Sequence, residues 1–290
     1  MENSTQLKEM IRSMVIDVLQ GQKQEVASSQ PFKQAPRGQV EPGVFDTVDE
    51  AIQAAKAAQA RFEDCTLATR EKVIADIRAA MRPRVQELAQ KTVEETGMGR
   101  VADKVLKLNL TLDKTPGVED LVTECETGDN GMTLYELSAY GVIGAITPST
   151  NPAETLICNT IGMLAAGNAV FFSVHPGAKH LSRLLVSELN QIIAKSIGIE
   201  NLIVTLREPS IESAQEMMLH PDVSLLVVTG GPGVVKQALQ SGKKVIGAGA
   251  GNPPAFVDET ADIKKAAQDI VLGASLDNNI LCIAEKSVVA

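Results

Sequence analysis

Cysteine is the first residue type to weigh for covalent chemistry, because its thiolate is intrinsically nucleophilic. The chain holds four: Cys65, Cys125, Cys158 and Cys282. None forms a C-x-x-C pair and none has a nearby pair of histidines. Neither a zinc site nor a disulfide framework is expected, and no metal site is assigned. A reducing, cytosolic setting follows. A lone cysteine in an apolar strand is ordinarily inert core. Cys65 and Cys158 are read that way, and Cys125 as incidental. On setting alone, Cys282 in Asp277-Asn278-Asn279-Ile280-Leu281-Cys282 merits little more.

Three loops carry residues suited to receiving an anion. In Thr147-Pro148-Ser149-Thr150-Asn151-Pro152, Pro152 suits the first position of a helix, placing Asn151 beside exposed N–H groups. The plainer reading of Asn151 is a helix cap. Thr229-Gly230-Gly231-Pro232-Gly233 joins a buried strand to a helix, and its glycines permit close approach of a phosphate. It is neither G-x-G-x-x-G nor a P-loop, and glycine is common in such turns. Gly247-Ala248-Gly249-Ala250-Gly251-Asn252-Pro253-Pro254 ends a strand without bulky side chains, so either something large is admitted or side chains are excluded.

The elements that must position these loops read as alternating strands and helices. Strands are expected at Gly141–Thr147, Asn168–Val174, Asn201–Leu206, Val223–Thr229 and Lys243–Ala248, with helices at 152–166, 178–197, 210–219 and 232–241. The strands are near-continuous apolar runs, as in sheets covered on both faces. The fold class is therefore α/β, a doubly wound parallel sheet of Rossmann type, whose ligands bind beyond the carboxyl ends of the strands. Residues 46–115 carry helical periodicity, notably 50–61 and 68–95, interrupted at Gly97-Met98-Gly99. Gly128-Asp129-Asn130-Gly131 predicts a hairpin near 125–140.

Residues 1–20 form a unit of their own. Leu7, Met10, Ile11, Met14, Val15, Val18 and Leu19 make one apolar stripe on a helix that Gly21 could end. Residues 21–43 read as a Gln-, Ser- and Pro-containing linker. The polar face mixes Lys8, Glu9, Arg12 and Asp17, which suits docking on a protein partner better than on a membrane; an ordinary first helix is the alternative. A net charge of −9 and 3% aromatic residues argue against a nucleic-acid surface. No apolar run reaches the roughly 18 residues of a membrane span.

Taken together, Thr147–Pro152 (TPSTNP), Leu164–Asn168 (LAAGN), Thr229–Gly233 (TGGPG), Gly247–Pro254 (GAGAGNPP) and Asp277–Cys282 (DNNILC) resemble the aldehyde dehydrogenase superfamily. Glu95–Gly99 (ETGMG) and Thr115–Asp120 (TPGVED) match as well. The likeness is to the CoA-acylating branch, and within it to the propionaldehyde and acetaldehyde dehydrogenases of bacterial microcompartments. It implies that Cys282 is the nucleophile and Asn151 an oxyanion donor. It also implies that NAD is held by Thr147, Pro148, Ser149, Ser173, His175, Pro176, Thr229, Gly230, Gly231, Val234, Gly247, Ala248 and Gly249, with CoA as co-substrate. Hydrolytic relatives carry a Glu near Gly247 as base for water; its absence here points to a thiol acceptor. Ser173 and Pro176 stand where many relatives hold the adenine ribose with a Lys and a Glu, so NADP remains open. His175 either lines that pocket or is a surface-loop residue.

The resemblance further implies that residues 1–20 are an encapsulation tag that meets a shell protein, that the enzyme forms a homo-oligomer, and that it works in the cytoplasm inside a bacterial microcompartment. The expected organisation is a targeting helix at 1–20, a linker at 21–43, a cofactor-binding domain at 44–250 and the start of an incomplete catalytic domain at 251–290. By this likeness the chain is C-terminally truncated, and the apolar strand expected at 283–290 lacks its sheet neighbours, leaving the last forty residues poorly supported. A competing reading is an inactive fragment that binds dinucleotide or docks on a shell.

Overall fold

A computed structural model of the chain describes the backbone of residues 2–22 and 41–290, with side chains for 5–16 and 41–290. Residues 23–40 of the expected linker lie outside the described residues. The first helix, α1, spans Glu2–Gln22 and continues through Gly21. Leu7 is buried, Met10, Ile11 and Met14 are half-buried, and Val15 is exposed. The helix lies against Ile263–Ser275, the last long helix.

A two-residue strand, β1 (Val44–Phe45), precedes four helices: α2 (Val48–Glu63), α3 (Leu67–Met81), α4 (Val85–Thr96) and α5 (Val101–Lys114). Thr47 and Thr66 cap the first two of these helices by accepting from the N–H groups of Glu50 and Thr69. The helix expected over 68–95 is divided by a 3-10 turn at Arg82–Arg84, where Pro83 has no N–H to continue the ladder. Gly97, at φ 67°, closes α4 in the left-handed conformation. The Glu95 carboxylate accepts from the N–H groups of His180 and Leu181 at 2.8 and 2.7 Å, capping a later helix. A hairpin follows, β2 (Glu124–Gly128) paired antiparallel with β3 (Gly131–Tyr135), its side chains exposed.

Thereafter strands and helices alternate: β4 (Val142–Ile146), α6 (Pro152–Ala165), β5 (Ala169–Ser173), α7 (Lys179–Ile197), β6 (Ile203–Leu206), α8 (Ile211–Leu219), β7 (Val223–Thr229), α9 (Pro232–Leu239) and β8 (Lys244–Ala248). Six strands form one parallel sheet in the order β1-β6-β5-β4-β7-β8. Strands β4, β5 and β6 are buried throughout, as their apolar runs predict. The expectation fails for β8: it is the sheet's edge, with Ile246 56% exposed, because α9 alone among the described helices packs closely on it. Asn168, from the LAAGN segment, accepts from the N–H groups of Tyr140 and Gly141 and donates to Met163 O. That residue thus ties the end of α6 to the start of β4.

The remaining elements are β9 (Pro254–Phe256), α10 (Ile263–Ser275) and β10 (Ser287–Val289). Strands β9 and β10 pair parallel in a separate small sheet, and Phe256 and Val289 are 75% and 51% exposed. The strand expected at 283–290 is thus shorter and has one neighbour. Cys282 lies in a turn rather than a strand. The reason is local: Lys286 Nζ donates to the carbonyls of Asn279, Leu281 and Ala284, curling the chain around one ammonium. No helix among the described residues is long and apolar enough to cross a membrane.

Candidate active site

The sheet changes direction at β4, which has β5 on one side and β7 on the other. Ligands of doubly wound sheets sit beyond the strand ends at such a point. Thr147 N–H donates to Ser173 O at 3.2 Å, Gly230 N–H donates to Ala248 O at 3.1 Å, and Thr229 pairs with Ala248. Thr147, Ser173, Thr229 and Ala248 therefore stand at the carboxyl ends of four adjacent strands. The Thr147 hydroxyl is buried with no hydrogen-bond partner among the described residues, a polar atom that a ligand at the crevice could satisfy.

Glycine keeps this rim open. A side chain at Gly230 would begin 2.7 Å from Val234 Cγ1, while Gly231 and Gly249 face open space. Val234 accordingly packs the turn. Pro148 and Ser149 are half-buried between the rim and α4's end, with Ser149 Oγ 3.9 Å from Met98 Sδ. His175 and Pro176 are exposed. His175 Nδ1 accepts from Gly177 N–H at 3.0 Å, so it shapes its own loop. These features fit the extended, phosphate-bearing shape of a dinucleotide.

A second group of residues joins three elements; its lysines, Lys104 and Lys107, belong to none of the segments singled out in the sequence. Asp277 is fully buried, and its carboxylate accepts from Arg100 N–H at 2.8 Å and Lys104 Nζ at 3.0 Å, and from Lys107 Nζ. Its own N–H donates to Asp103 Oδ2 at 2.8 Å. Lys104 also donates to Thr150 O at 2.8 Å. Lys107 also donates to Asn151 Oδ1 and lies 3.2 Å from Glu154 Oε1. Asn151 occupies the cap position of α6 without making a side-chain cap. Its amide is engaged elsewhere, with Nδ2 donating to Thr150 Oγ1 at 3.2 Å, so capping is not its role.

Burial pushes the Asp277 carboxyl up, but the hydrogen bonds from Lys107 and the Arg100 N–H, with the charges of Lys107 and Lys104, hold it below its ordinary value. Burial pushes Lys107 down, yet Glu154 and Asp277 raise it above the usual lysine value. For fully buried Lys104 burial wins, and its ammonium is held below that value. A carboxylate depressed on folding stabilises the fold above its unfolded pKa, about 3.9, and that contribution is lost as pH falls through the folded value.

The cluster anchors the turn that carries Cys282. Asp277, Asn278 and Asn279 all adopt positive φ, at 49°, 55° and 60°. Each left-handed residue costs roughly 1–2 kcal/mol, least for Asp and Asn. Downstream, Asn279 Nδ2 donates to Ala274 O at 2.6 Å and Glu285 O at 3.0 Å. Cys282 itself is exposed, and a side chain at Gly251 would overlap its carbonyl oxygen. The Gly/Ala segment that follows β8 thus runs directly against the backbone of Cys282 at Gly251.

Cys158, expected in the core, is exposed: it shares the outer stripe of α6 with Thr155, Asn159 and Gly162. Cys65 is half-buried and donates weakly to Arg61 O, and Cys125 is exposed on the hairpin.

Gly99 sits at φ 80°, and a side chain there would overlap the Asp277 carboxylate. Gly99→Ala should therefore destabilise the fold by about 2 kcal/mol or more, read as a lowered urea midpoint; an unchanged midpoint would mean the anchor is not needed.

A sequence profile of the aldehyde dehydrogenase family matches residues 18–290. The chain is 50% identical over 287 residues to the CoA-propanoylating propanal dehydrogenase of Salmonella typhimurium, covering 99% of this chain and 60% of that protein. Among solved structures it is similar to a propionaldehyde dehydrogenase from the Clostridium phytofermentans fucose utilisation bacterial microcompartment, at 52% identity and a TM-score of 0.83, over 86% of this chain and 57% of that one. It is likewise similar to Rhodopseudomonas palustris propionaldehyde dehydrogenase with bound CoA and an acylated cysteine, at 53% identity and a TM-score of 0.83, over 86% and 57% of the two chains. The chain thus spans about 60% of the length of the curated relative it matches. A parallel sheet with its crevice at β4, a cysteine turn anchored beside it and a profile match over nearly the whole chain agree: the chain belongs to the aldehyde dehydrogenase family.

Proposed function

We propose that the protein oxidises a short aldehyde, propionaldehyde or acetaldehyde, to its acyl-CoA with NAD and CoA. One observation carries this reading: the backbone of Cys282, whose side chain is exposed, lies against Gly251, and the segment Gly247–Gly251 that ends there has no acid or base in it. Water has a pKa near 15.7 and needs a general base before it attacks a thioester. A thiol ionises near 8.5 and needs none. The names of the relatives, one CoA-propanoylating and one solved with CoA and an acylated cysteine, support the same acceptor.

In this mechanism the Cys282 thiolate forms a C–S bond to the aldehyde carbon, and the carbonyl π pair moves to oxygen. The Asn151 amide and the Cys282 N–H receive that oxyanion. The oxyanion re-forms C=O as hydride leaves, and the oxidised nicotinamide, when bound, is its acceptor. A thioester remains on Cys282. The CoA thiolate then attacks it through a second oxyanion, and collapse returns the Cys282 thiolate with release of acyl-CoA.

Thr147, Pro148, Ser149, Thr229, Gly230, Gly231, Gly247, Ala248 and Gly249 form the floor we assign to the dinucleotide, with Val234 packing its turn. Ser173, His175 and Pro176 lie at its ribose end. One methylene separates the two candidate aldehydes, a difference of about 1–3 kcal/mol in a pocket. We assign residues 1–20 as a shell-docking tag, residues 44–250 to the cofactor domain and 251–290 to the start of the catalytic domain. The tag reading draws on the amphipathic α1 and on the microcompartment origin of a relative.

The test is NADH formation by the full-length protein with propanal and NAD, with and without CoA. The expected result is turnover that depends on CoA and yields propanoyl-CoA. Equal turnover without CoA, yielding free acid, would overturn the reading. Gly247→Glu should move the product ratio toward free acid, by about tenfold or more if the carboxylate acts as a general base. The first side-chain atom would lie 3.2 Å from Val235 Cγ1, the tip of a side chain, so a shift of a few tenths of an ångström there makes room. An unchanged ratio would remove the argument from the missing base.

A further inference from the structure

We infer that Lys107 is a positioning residue that orients the Asn151 amide and locks it to the nucleophile's turn. The inference rests on the proposed roles of Asn151 and Cys282. Lys107 stands on α5. Its ammonium meets Asn151 Oδ1 and Asp277 Oδ2, and lies 3.2 Å from Glu154 Oε1. Its side chain is 11% exposed, so water competes little for those contacts.

The chemistry of the partners decides the orientation. A lysine ammonium donates and never accepts. It can face the oxygen of the Asn151 amide but not its NH₂, so the amide flip that would exchange them is disfavoured. The NH₂ is thereby held on the side away from Lys107. A cation on the carbonyl oxygen also polarises the amide and strengthens its N–H as a donor. In the described state that N–H is spent on Thr150 Oγ1 at 3.2 Å, a neighbouring hydroxyl that an oxyanion would readily replace.

The same ammonium holds Asp277, five residues before Cys282 and first in the run of three left-handed residues. One cation therefore ties together the side chain that receives the oxyanion and the turn that carries the nucleophile. Lys104 acts differently, since its bonds run to Asp277 and to the Thr150 carbonyl, and none reaches the Asn151 side chain.

The experiment is steady-state kinetics of the full-length enzyme as Lys107→Met and Lys107→Arg, alone and with Asn151→Ala. Lys107→Met should lower kcat about tenfold or more, with KM for the aldehyde changed much less. Lys107→Arg, which restores a donor-only cation, should recover most of the loss. In the Asn151→Ala background, Lys107→Met should cost little further, because its target is gone. Full additivity of the two losses, or no rescue by arginine, would overturn the inference. If Lys107→Met does not fold because Glu154 is left buried without its cation, Lys107→Met/Glu154→Gln removes both charges and gives the same reading. A crystal structure of that variant supplies a readout independent of turnover: the Asn151 amide should rotate or become disordered, and an unmoved amide would contradict the inference. Absence of CoA-dependent turnover in the unsubstituted enzyme would instead sink the functional reading itself.

Discussion

Replacing Cys282 by Ala should abolish acyl-CoA formation, with a loss of about ten-thousand-fold or more, while the fold and dinucleotide binding persist. Removing a covalent nucleophile takes away the bond that divides the reaction into two steps, and such losses are among the largest known for single residues. The fold should tolerate the change because Cys282 is exposed. The turn is instead held by Asp277, Asn279 and Lys286. Acyl transfer rate, melting temperature and NAD titration measured on one preparation would separate these effects. Retained acyl-CoA formation would show that another thiol, or none, carries the acyl group. Exposed Cys158 on α6 and Cys125 on the hairpin would then be the residues to examine.

Asn151→Ala should lower kcat by about 10²–10³, the range for removing one oxyanion donor, with substrate affinity changed far less. Because Asn151 makes no helix cap, its loss should cost the helix little. A second effect comes from Lys107, which would lose one acceptor but keep Asp277 and Glu154. The kinetic loss should therefore outweigh any loss of stability. A melting temperature that collapses together with kcat would place Asn151 among structural residues.

Much of the architecture is legible in residue types and spacing. Apolar runs at Val142–Ile146, Ala169–Ser173 and Val223–Thr229 mark strands buried by helices, and Asp129-Asn130 between strand-forming runs marks the hairpin. The edge character of β8 is not legible, because its run Lys244-Val245-Ile246 looks like its buried neighbours; only the strand order places it last. The exposure of Cys158 is not legible either. A buried helix such as α6 is apolar on most sides, so periodicity there does not single out the outer face.

The ion cluster is hidden for a different reason. Lys104 and Lys107 lie one turn apart on a helix, and such lysines are ordinarily a solvated face. Their partner Asp277 is 173 and 170 residues away in sequence, a separation that no local pattern reports. A signal is present in Asp277-Asn278-Asn279: after glycine, these two residue types best tolerate left-handed backbone, and three in a row announce a turn that something else must hold. Gly99, which a side chain would drive into Asp277, is the matching signal on the other side of the contact.

The central claim is that the acyl group resides on Cys282. The most direct test is to incubate the full-length protein with propanal and NAD in the absence of CoA, quench in acid, and map the mass of each cysteine-containing peptide. A propanoyl increment on the peptide holding Cys282, removed when CoA is added before the quench and recovered as propanoyl-CoA, is the predicted result. An unmodified Cys282 peptide alongside NADH formation, or a propanoyl group on Cys65, Cys125 or Cys158, would contradict it.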